Sequence, residues 1–464
     1  MHIYIGRRSV VFGYINNDVN QTLIPMKTKV KMLIAGLAGC LLLALTPGFK
    51  PSGKNPLDHN HVKICGTKGC TFKTIFGEES SEGHSHFKNV EKVEHAVGTG
   101  LTYLASVQQK NGGWGAGSHS YQHIRDANAV STDPATTAMV GMAMLRTKST
   151  LIQGEYSAAL AKATEYLLNA VETTPKDRLK ITDLQGTQIQ VKLGDNIDAV
   201  LAAQFFNNLL ELEDLPAKTQ DRIRSALADC VSRIQTNQNQ DGSLKGDGWA
   251  GVLQSSYANQ AVEAAEANGI DVDEDALVRS REFQKGNYDV SSGKVNTEKG
   301  AGVMLYAVSG SLRASAKEAK KAKDMIEEAK RRGEIADDAE ISEELLEEIG
   351  LSKEESSRLN TSFNVFKSAK DKAQEDEVLD GFGNNGGEEF LSFLQTGESM
   401  VIAGGDEWAK WFDDTAGRIV HIQNTDGSWS GHHCITSPVF CTATCLLILS
   451  IDQDIERLQK MGDS

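Results

Sequence analysis

Three groups of residues in this sequence could do chemistry. Near the C-terminus His432, His433 and Cys434 stand in a row, with Cys441 and Cys445 following one helical turn apart. Imidazole and thiolate are zinc donors, so these five are candidate metal ligands. Cys441 and Cys445 fall in an apolar run, however, where cysteine commonly serves as a small hydrophobe. No cofactor is therefore expected, with zinc as the alternative. Two acidic strings, Asp271-Val272-Asp273-Glu274 and Phe412-Asp413-Asp414-Thr415, could supply a general acid if one carboxyl were kept neutral by burial or by a like-charged neighbour. The plainer readings are that Asp271 and Asp273 open a helix and meet its dipole, and that Asp413 and Asp414 lie solvated in the middle of an outer helix. The third group is Cys65 and Cys70 among His59, His61, His84 and His86. Its spacing matches no common zinc pattern, which favours a Cys65–Cys70 disulfide in a flexible leader over a metal site.

What must position these groups is a repeated joint. Residues 108–114 and 423–429 both read Gln-x-x-[Asn/Asp]-Gly-x-Trp, with Gln108, Gly112 and Trp114 matching Gln423, Gly427 and Trp429. A degenerate copy has Gln238, Gly242 and Leu244, with Trp249 nearby. Before the first joint, Val90, Val93, Val97, Leu101 and Leu104 recur at spacings of three and four, the stripe of an amphipathic helix. After it, residues 134–145 are apolar or small on every side, as a buried helix must be. The last copy repeats this with a charged helix over 406–423 and an apolar one over 439–451; the middle copy has helices over 217–238 and 255–268. The unit is thus an outer amphipathic helix, a stop, and an inner buried helix. Glycine supplies the left-handed turn that ends the outer helix. Asn or Asp bonds the backbone beside it, glutamine satisfies loose groups at the helix end, and tryptophan fills the groove between units. Further helices are expected over 155–172, 196–213, 273–285, 297–312, 363–374 and 387–395, making twelve. Ile189, Val191 and Leu193 alternate within 180–194, which predicts a small β-hairpin turning at Gly186. The stretch 313–358 reads as an inserted helical excursion of solvated charge, with Ser352 and Glu355 spaced as a capping box.

The chain has 464 residues and a net charge of −15, which argues against a nucleic-acid partner. Residues 27–31 carry three lysines and 32–45 are mostly apolar, the pattern of a secretory signal and too short for a comfortable membrane span. Translation is expected to start at Met26, leaving 1–25 as an upstream extension. The string Leu37-Ala38-Gly39-Cys40 resembles a lipoprotein cleavage box, but the apolar run continues past Cys40. That favours a plain signal or a retained anchor over 26–48, with membrane association through this segment alone. The body is expected outside the cytoplasm: in the periplasm, in the cell envelope or secreted. Its division is a Cys- and His-containing leader over 49–87, a helical body over 88–455 interrupted at 313–358, and a tail over 456–464.

The joints resemble the QW motif of the squalene cyclase family and, more broadly, the prenyltransferase and squalene oxidase repeat. The resemblance rests on Gln108, Gly112, Trp114, Gln423, Gly427 and Trp429, with Gln238 and Gly242 as the weaker copy. It implies an all-α fold, an α/α toroid of six inner and six outer helices with a terpenoid cyclase-like ring. Cyclases of that family protonate an isoprenoid alkene with the middle acid of an Asp-x-Asp-Asp string. No such string occurs here; residues 271–274 come nearest and depart at Glu274. Aromatic residues make up 6% of the chain, few for a cation-shielding cavity. The related protein prenyltransferases hold zinc with an Asp, a Cys and a His, and no Asp-x-Cys pair appears here. The expectation is an exported, non-cyclising ring that binds a protein partner or an apolar ligand in its central funnel. The alternative is a divergent terpenoid cyclase or prenyltransferase-type enzyme acting on an isoprenoid, its acid drawn from Asp271, Asp273, Asp413 or Asp414. A zinc-dependent transferase or hydrolase using residues 432–445 is a third reading.

Overall fold

The computed structural model describes residues 90–246, 248–381 and 386–463. Cys65 and Cys70, the leader and the signal-like segment lie outside the described residues. Among the described residues, no helix is long and apolar enough to cross a membrane.

Helices alternate between two layers. In chain order they are α1 (Val90–Ser106), α2 (Pro134–Arg146), α3 (Ser157–Glu172), the short α4 (Gln188–Leu193), α5 (Ile197–Leu210), α6 (Ala217–Thr236), α7 (Gly251–Ala267) and α8 (Glu274–Lys285). After a two-stranded hairpin, β1 (Tyr288–Asp289) and β2 (Lys294–Val295), come α9 (Met304–Arg331), α10 (Glu343–Glu348), α11 (Lys353–Lys372), α12 (Asp376–Leu379), α13 (Gly387–Ile402), α14 (Glu407–His421), α15 (Pro438–Leu449) and α16 (Ile455–Asp463).

Six of these form a closed inner ring. Helix α2 packs on α5, α5 on α7, α7 on α9, α9 on α13, α13 on α15, and α15 returns to α2. Outside it, α3 lies on α2, α6 on α5, α8 on α7 and α9, α11 on α9, α14 on α13 and α15, and α1 on α15. The expected α/α toroid of six inner and six outer helices is therefore present. Composition explains the layers. Every residue of α15 is buried, and its sequence has no polar side. Helix α1 buries only Val93, Ala96, Val97, Gly100, Leu101 and Leu104, one stripe at helical spacing.

The three joints share one hydrogen-bond pattern. Gln108 Nε2 donates to the Gly112 carbonyl inside its own turn and to the Ala159 carbonyl in the first turn of α3. Gln238 Nε2 does the same to Gly242 and to Ala276 in α8. Gln423 Nε2 reaches Gly427 and Ala96 in α1, tying the last unit to the first. The joint glycines have φ of +89°, +89° and +87°. A Cβ on Gly242 would lie 2.1 Å from the Arg279 carbonyl oxygen, so the next outer helix presses on the turn. Trp114 and Trp429 are buried, and each indole Nε1 donates at 2.8 Å to the end of the preceding outer helix, at Leu104 and Ile419. The Trp429 ring also abuts Gly100 of α1. Leu244 occupies the equivalent place in the middle joint and is only half-buried, while Trp249 is exposed.

Three local readings need correction. Residues 180–194 do not form the hairpin; 188–193 are helix α4. Thr187 Oγ1 accepts from Gln190 N while Gln190 Oε1 accepts from Thr187 N, a capping box whose Thr-x-x-Gln spacing outweighs the short apolar alternation. The small hairpin is instead Tyr288 opposite Val295 and Asp289 opposite Lys294. The helix expected over 297–312 begins at Met304, after a tight turn with Ala301 at φ +52°, and runs on to Arg331. The charged stretch 313–358 is not merely solvated. Ala322, Ile326, Leu346 and Leu359 form a second small core beneath its charges, joined by Met325, Ile341 and Leu351. Ser352 does cap α11, its hydroxyl accepting from Glu355 N at 3.2 Å.

Candidate functional site

The N-termini of the inner helices share one mouth of the ring, and buried acids gather there. Helix α13 opens with Gly387, Glu388 and Glu389, all buried. Glu389 is fixed: its carboxylate accepts from Tyr306 Oη of α9 at 2.7 Å and from Gly386 N at 2.9 Å. Glu388 turns toward the loop before α15. There Ile435 N donates to its Oε2 at 3.3 Å, and His433 Nδ1 lies 3.9 Å from Oε1. Burial, then the neighbouring Glu389, push the Glu388 carboxyl up to about 7, with His433 opposing. Cys434 stands beside them at φ +60°, a left-handed conformation that side-chain-bearing residues rarely adopt. Burial and Glu388 push its thiol up to about 12, against the pull of Lys192. Lys192 is itself buried, with its ammonium 3.9 Å above the Trp249 ring. Trp249 and Tyr121 are each 58% exposed.

A second acid pair lies at the starts of α2 and α5. Asp133 accepts from Ala116 N, Thr136 N and Thr136 Oγ1 at 2.7–3.0 Å. Asp198 accepts from Ala135 N at 3.1 Å and from Gln190 Nε2 at 2.8 Å. Both are fully buried, and burial followed by the Asp198 charge raises Asp133 to about 7. A carboxyl in that range holds or releases a proton near neutrality.

The ring axis behind this mouth is packed. The Phe205 ring presses on Gly141, where an added Cβ would lie 2.4 Å away. Tyr257 Oη donates to the Leu391 carbonyl at 2.8 Å, and Gln395 Nε2 donates to Ser256 Oγ at 2.7 Å. Towards the opposite mouth a cavity of about 50 Å³ remains, lined by Met139, Tyr257, Gln260, Arg313, Glu398 and Leu458 among others. Helix α16 helps to line it through Arg457, Leu458 and Met461. Arg457 bonds Asp454, and Arg146 of α2 bonds both Asp454 and Glu398.

The structure separates most residues that the sequence singled out. Asp271 and Asp273 are exposed, and Asp273 caps α8 by accepting from Ala276 N at 2.9 Å. Asp413 and Asp414 are partly buried on the outer helix α14. Cys441 and Cys445 are buried within α15, and the Cys441 thiol donates to the Ile435 carbonyl. Burial raises both thiols. His432 is partly buried, its ring 6.4 Å from that of His433. His433 and Cys434 come together with an acid that sequence reasoning missed, Glu388, all three donor atoms lying within 4.8 Å of one another. Asp133, Asp198 and Glu389 were missed as well. Asp133 carried a signal: Asp133-Pro134 and Ser437-Pro438 both place a capping side chain before a first-turn proline at the start of an inner helix.

No protein-family model and no curated protein matches the chain. Two solved structures of the type II terpene cyclase MstE from Scytonema align with it. The apo enzyme does so at 14% identity and a TM-score of 0.41, over 79% of this chain and 99% of that one. A variant in complex with its product merosterolic acid A does so at 13% identity and a TM-score of 0.43, over 79% and 98%. Likeness at this level carries no argument about activity, and the ring described above stands on its own helix contacts.

Proposed function

We propose that this chain is an exported, non-cyclising ring protein that acts by binding a partner or ligand at the mouth formed by the inner-helix N-termini. The observation that carries this reading is the filled axis. The cavity towards the opposite mouth, about 50 Å³ and partly polar, is small beside the roughly 300–1,000 Å³ of ordinary small-molecule sites. A polyprene folded for cyclisation needs more room than that. The exposed Trp249 and Tyr121 at the mouth offer aromatic surface of the kind that anchors partners. Export follows from the basic-then-apolar segment at 26–48. The test is incubation of the purified full chain with squalene and shorter polyprenes, followed by mass-spectrometric product analysis. No cyclised product is expected, and its appearance would overturn the reading.

One observation favours a second reading, a divergent cyclase. Asp133 is a buried carboxyl raised to about 7 by burial and Asp198, the condition a general acid for alkene protonation requires. Under that reading cyclised product forms and is lost in Asp133→Asn, whereas the exposed Asp271 and Asp273 are dispensable.

A further inference from the structure

We propose that Glu388, His433 and Cys434 form a three-ligand metal site, with zinc as its ion. The inference goes beyond the binding role above and does not depend on whether the ring cyclises anything. One carboxylate oxygen, one imidazole nitrogen and one thiol sulfur lie within 4.8 Å of one another. In a tetrahedral zinc site with bonds of 2.0–2.3 Å, neighbouring donors stand roughly 3.5 Å apart. The His433–Glu388 pair, at 3.9 Å, is already close to that spacing. Small side-chain rotations close the rest.

The frame around the donors is fixed. Gly387 N donates to the Ile435 carbonyl at 3.0 Å, and Ile435 N returns a bond to Glu388, so the start of α13 and the loop before α15 are laced together. From the other side Arg125 Nη1 donates to the Gly431 and Thr436 carbonyls at 3.0 and 2.9 Å, bracketing His433 and Cys434. Glu389 is drawn away by Tyr306 and Gly386, which leaves Glu388 to face the loop.

Cys434 supplies an independent observation. It holds φ +60° in a position where glycine would be at ease. Non-glycine residues kept in this conformation concentrate at sites where the side chain itself is used. The donor set then selects the ion. A thiolate with an imidazole suits zinc, whereas magnesium and calcium take oxygen ligands. Three protein ligands leave one tetrahedral position for water or a substrate atom, the arrangement of reactive rather than purely structural zinc sites. Cys441 and Cys445 stay outside the set, since Cys441 is directed to the Ile435 carbonyl within the helical core.

The experiment uses the full untagged chain carrying Cys65→Ala and Cys70→Ala, which removes the leader's thiols. Zinc content is measured by mass spectrometry, and cobalt is substituted to read thiolate coordination by its sulfur-to-metal charge-transfer absorption. The expected result is one equivalent of zinc and a charge-transfer band. In Cys434→Gly the band disappears and zinc affinity falls by roughly 100-fold or more, while the melting temperature of the metal-free protein holds or rises because the left-handed strain is relieved. Glu388→Gln and His433→Ala weaken binding, and Cys441→Ala leaves it unchanged. Substoichiometric zinc, or zinc held equally well by Cys434→Gly, overturns the proposal.

Discussion

Replacing Trp429 tests how the ring is held shut, because this side chain sits where the last unit meets the first. Its indole is 0% exposed, lies against Gly100 of α1, and donates at 2.8 Å to the Ile419 carbonyl of α14. A tryptophan buries 150–250 Å², which at about 25 cal/mol per Å² gives about 4–6 kcal/mol of apolar stabilisation. Partial collapse of the hole recovers some of this, so Trp429→Ala is expected to cost about 3–5 kcal/mol. Trp429→Phe keeps most of the ring and removes one of two donors to the Ile419 carbonyl, which still accepts from Ile422 N, for about 0.5–1.5 kcal/mol. Leu244→Ala, at the half-buried equivalent place, should cost less than half as much as Trp429→Ala. The assay is urea unfolding followed by far-ultraviolet circular dichroism, with the three variants compared at a common slope. A cost below about 1 kcal/mol for Trp429→Ala would refute the reasoning, since it lies far outside the range for a large buried side chain. So would equal costs for Leu244→Ala and Trp429→Ala.

Other outcomes follow from the same geometry. Gly242→Ala and Gly427→Ala should each lose at least about 1–2 kcal/mol through the left-handed turn alone. The larger loss is expected at Gly242, where the added Cβ lies 2.1 Å rather than 2.6 Å from a carbonyl oxygen, and equal melting temperatures would count against this. Asp133 is raised in the fold from its ordinary value of 3.8 to about 7, so the fold binds its proton more tightly than the unfolded chain does. Its stabilising contribution is complete below about pH 4 and is lost as pH rises through about 7, a change on the order of a few kcal/mol. Urea midpoints at pH 5 and pH 8 should therefore diverge in the natural sequence and diverge less in Asp133→Asn, where the raised Glu388 carboxyl still contributes. Ending the chain after Asp454 removes Arg457, Leu458 and Met461 from the cavity wall. The truncated protein should bind an apolar fluorescent dye and melt several degrees lower, and unchanged fluorescence would show that α16 does not cover apolar surface.

The ring was legible from composition because its two layers carry different patterns. Helix α15 is apolar throughout and has to be inside, while α1 shows one stripe and has to be outside. The joints were legible because a glycine, a glutamine and a tryptophan recur at fixed offsets. The hairpin at 180–194 failed for a physical reason: three alternating apolar residues fit a strand and a turn and a half of helix alike, and the Thr187–Gln190 cap decides between them. The buried acids were illegible for another. Two glutamates at the start of α13 look like ordinary dipole partners of a helix end. The Gly387–Ile435 and Tyr306–Glu389 contacts, which join distant parts of the chain, show that this end is covered, and the first of them does so from the loop before α15. The Gly387–Ile435 contact also brings Glu388 beside His433 and Cys434, which no local pattern could reveal.

The seam where Gln423 reaches the Ala96 carbonyl and α15 lies against α2 has a consequence for how the protein is made. The partners in that seam are more than 300 residues apart, so the circle cannot shut until nearly all of the chain has left the ribosome. Until then the greasy flank of α2 has no permanent neighbour. Topologies with such distant pairings fold slowly and expose sticky surface meanwhile. Nascent chains arrested short of α15 should therefore be the ones that chaperones hold longest.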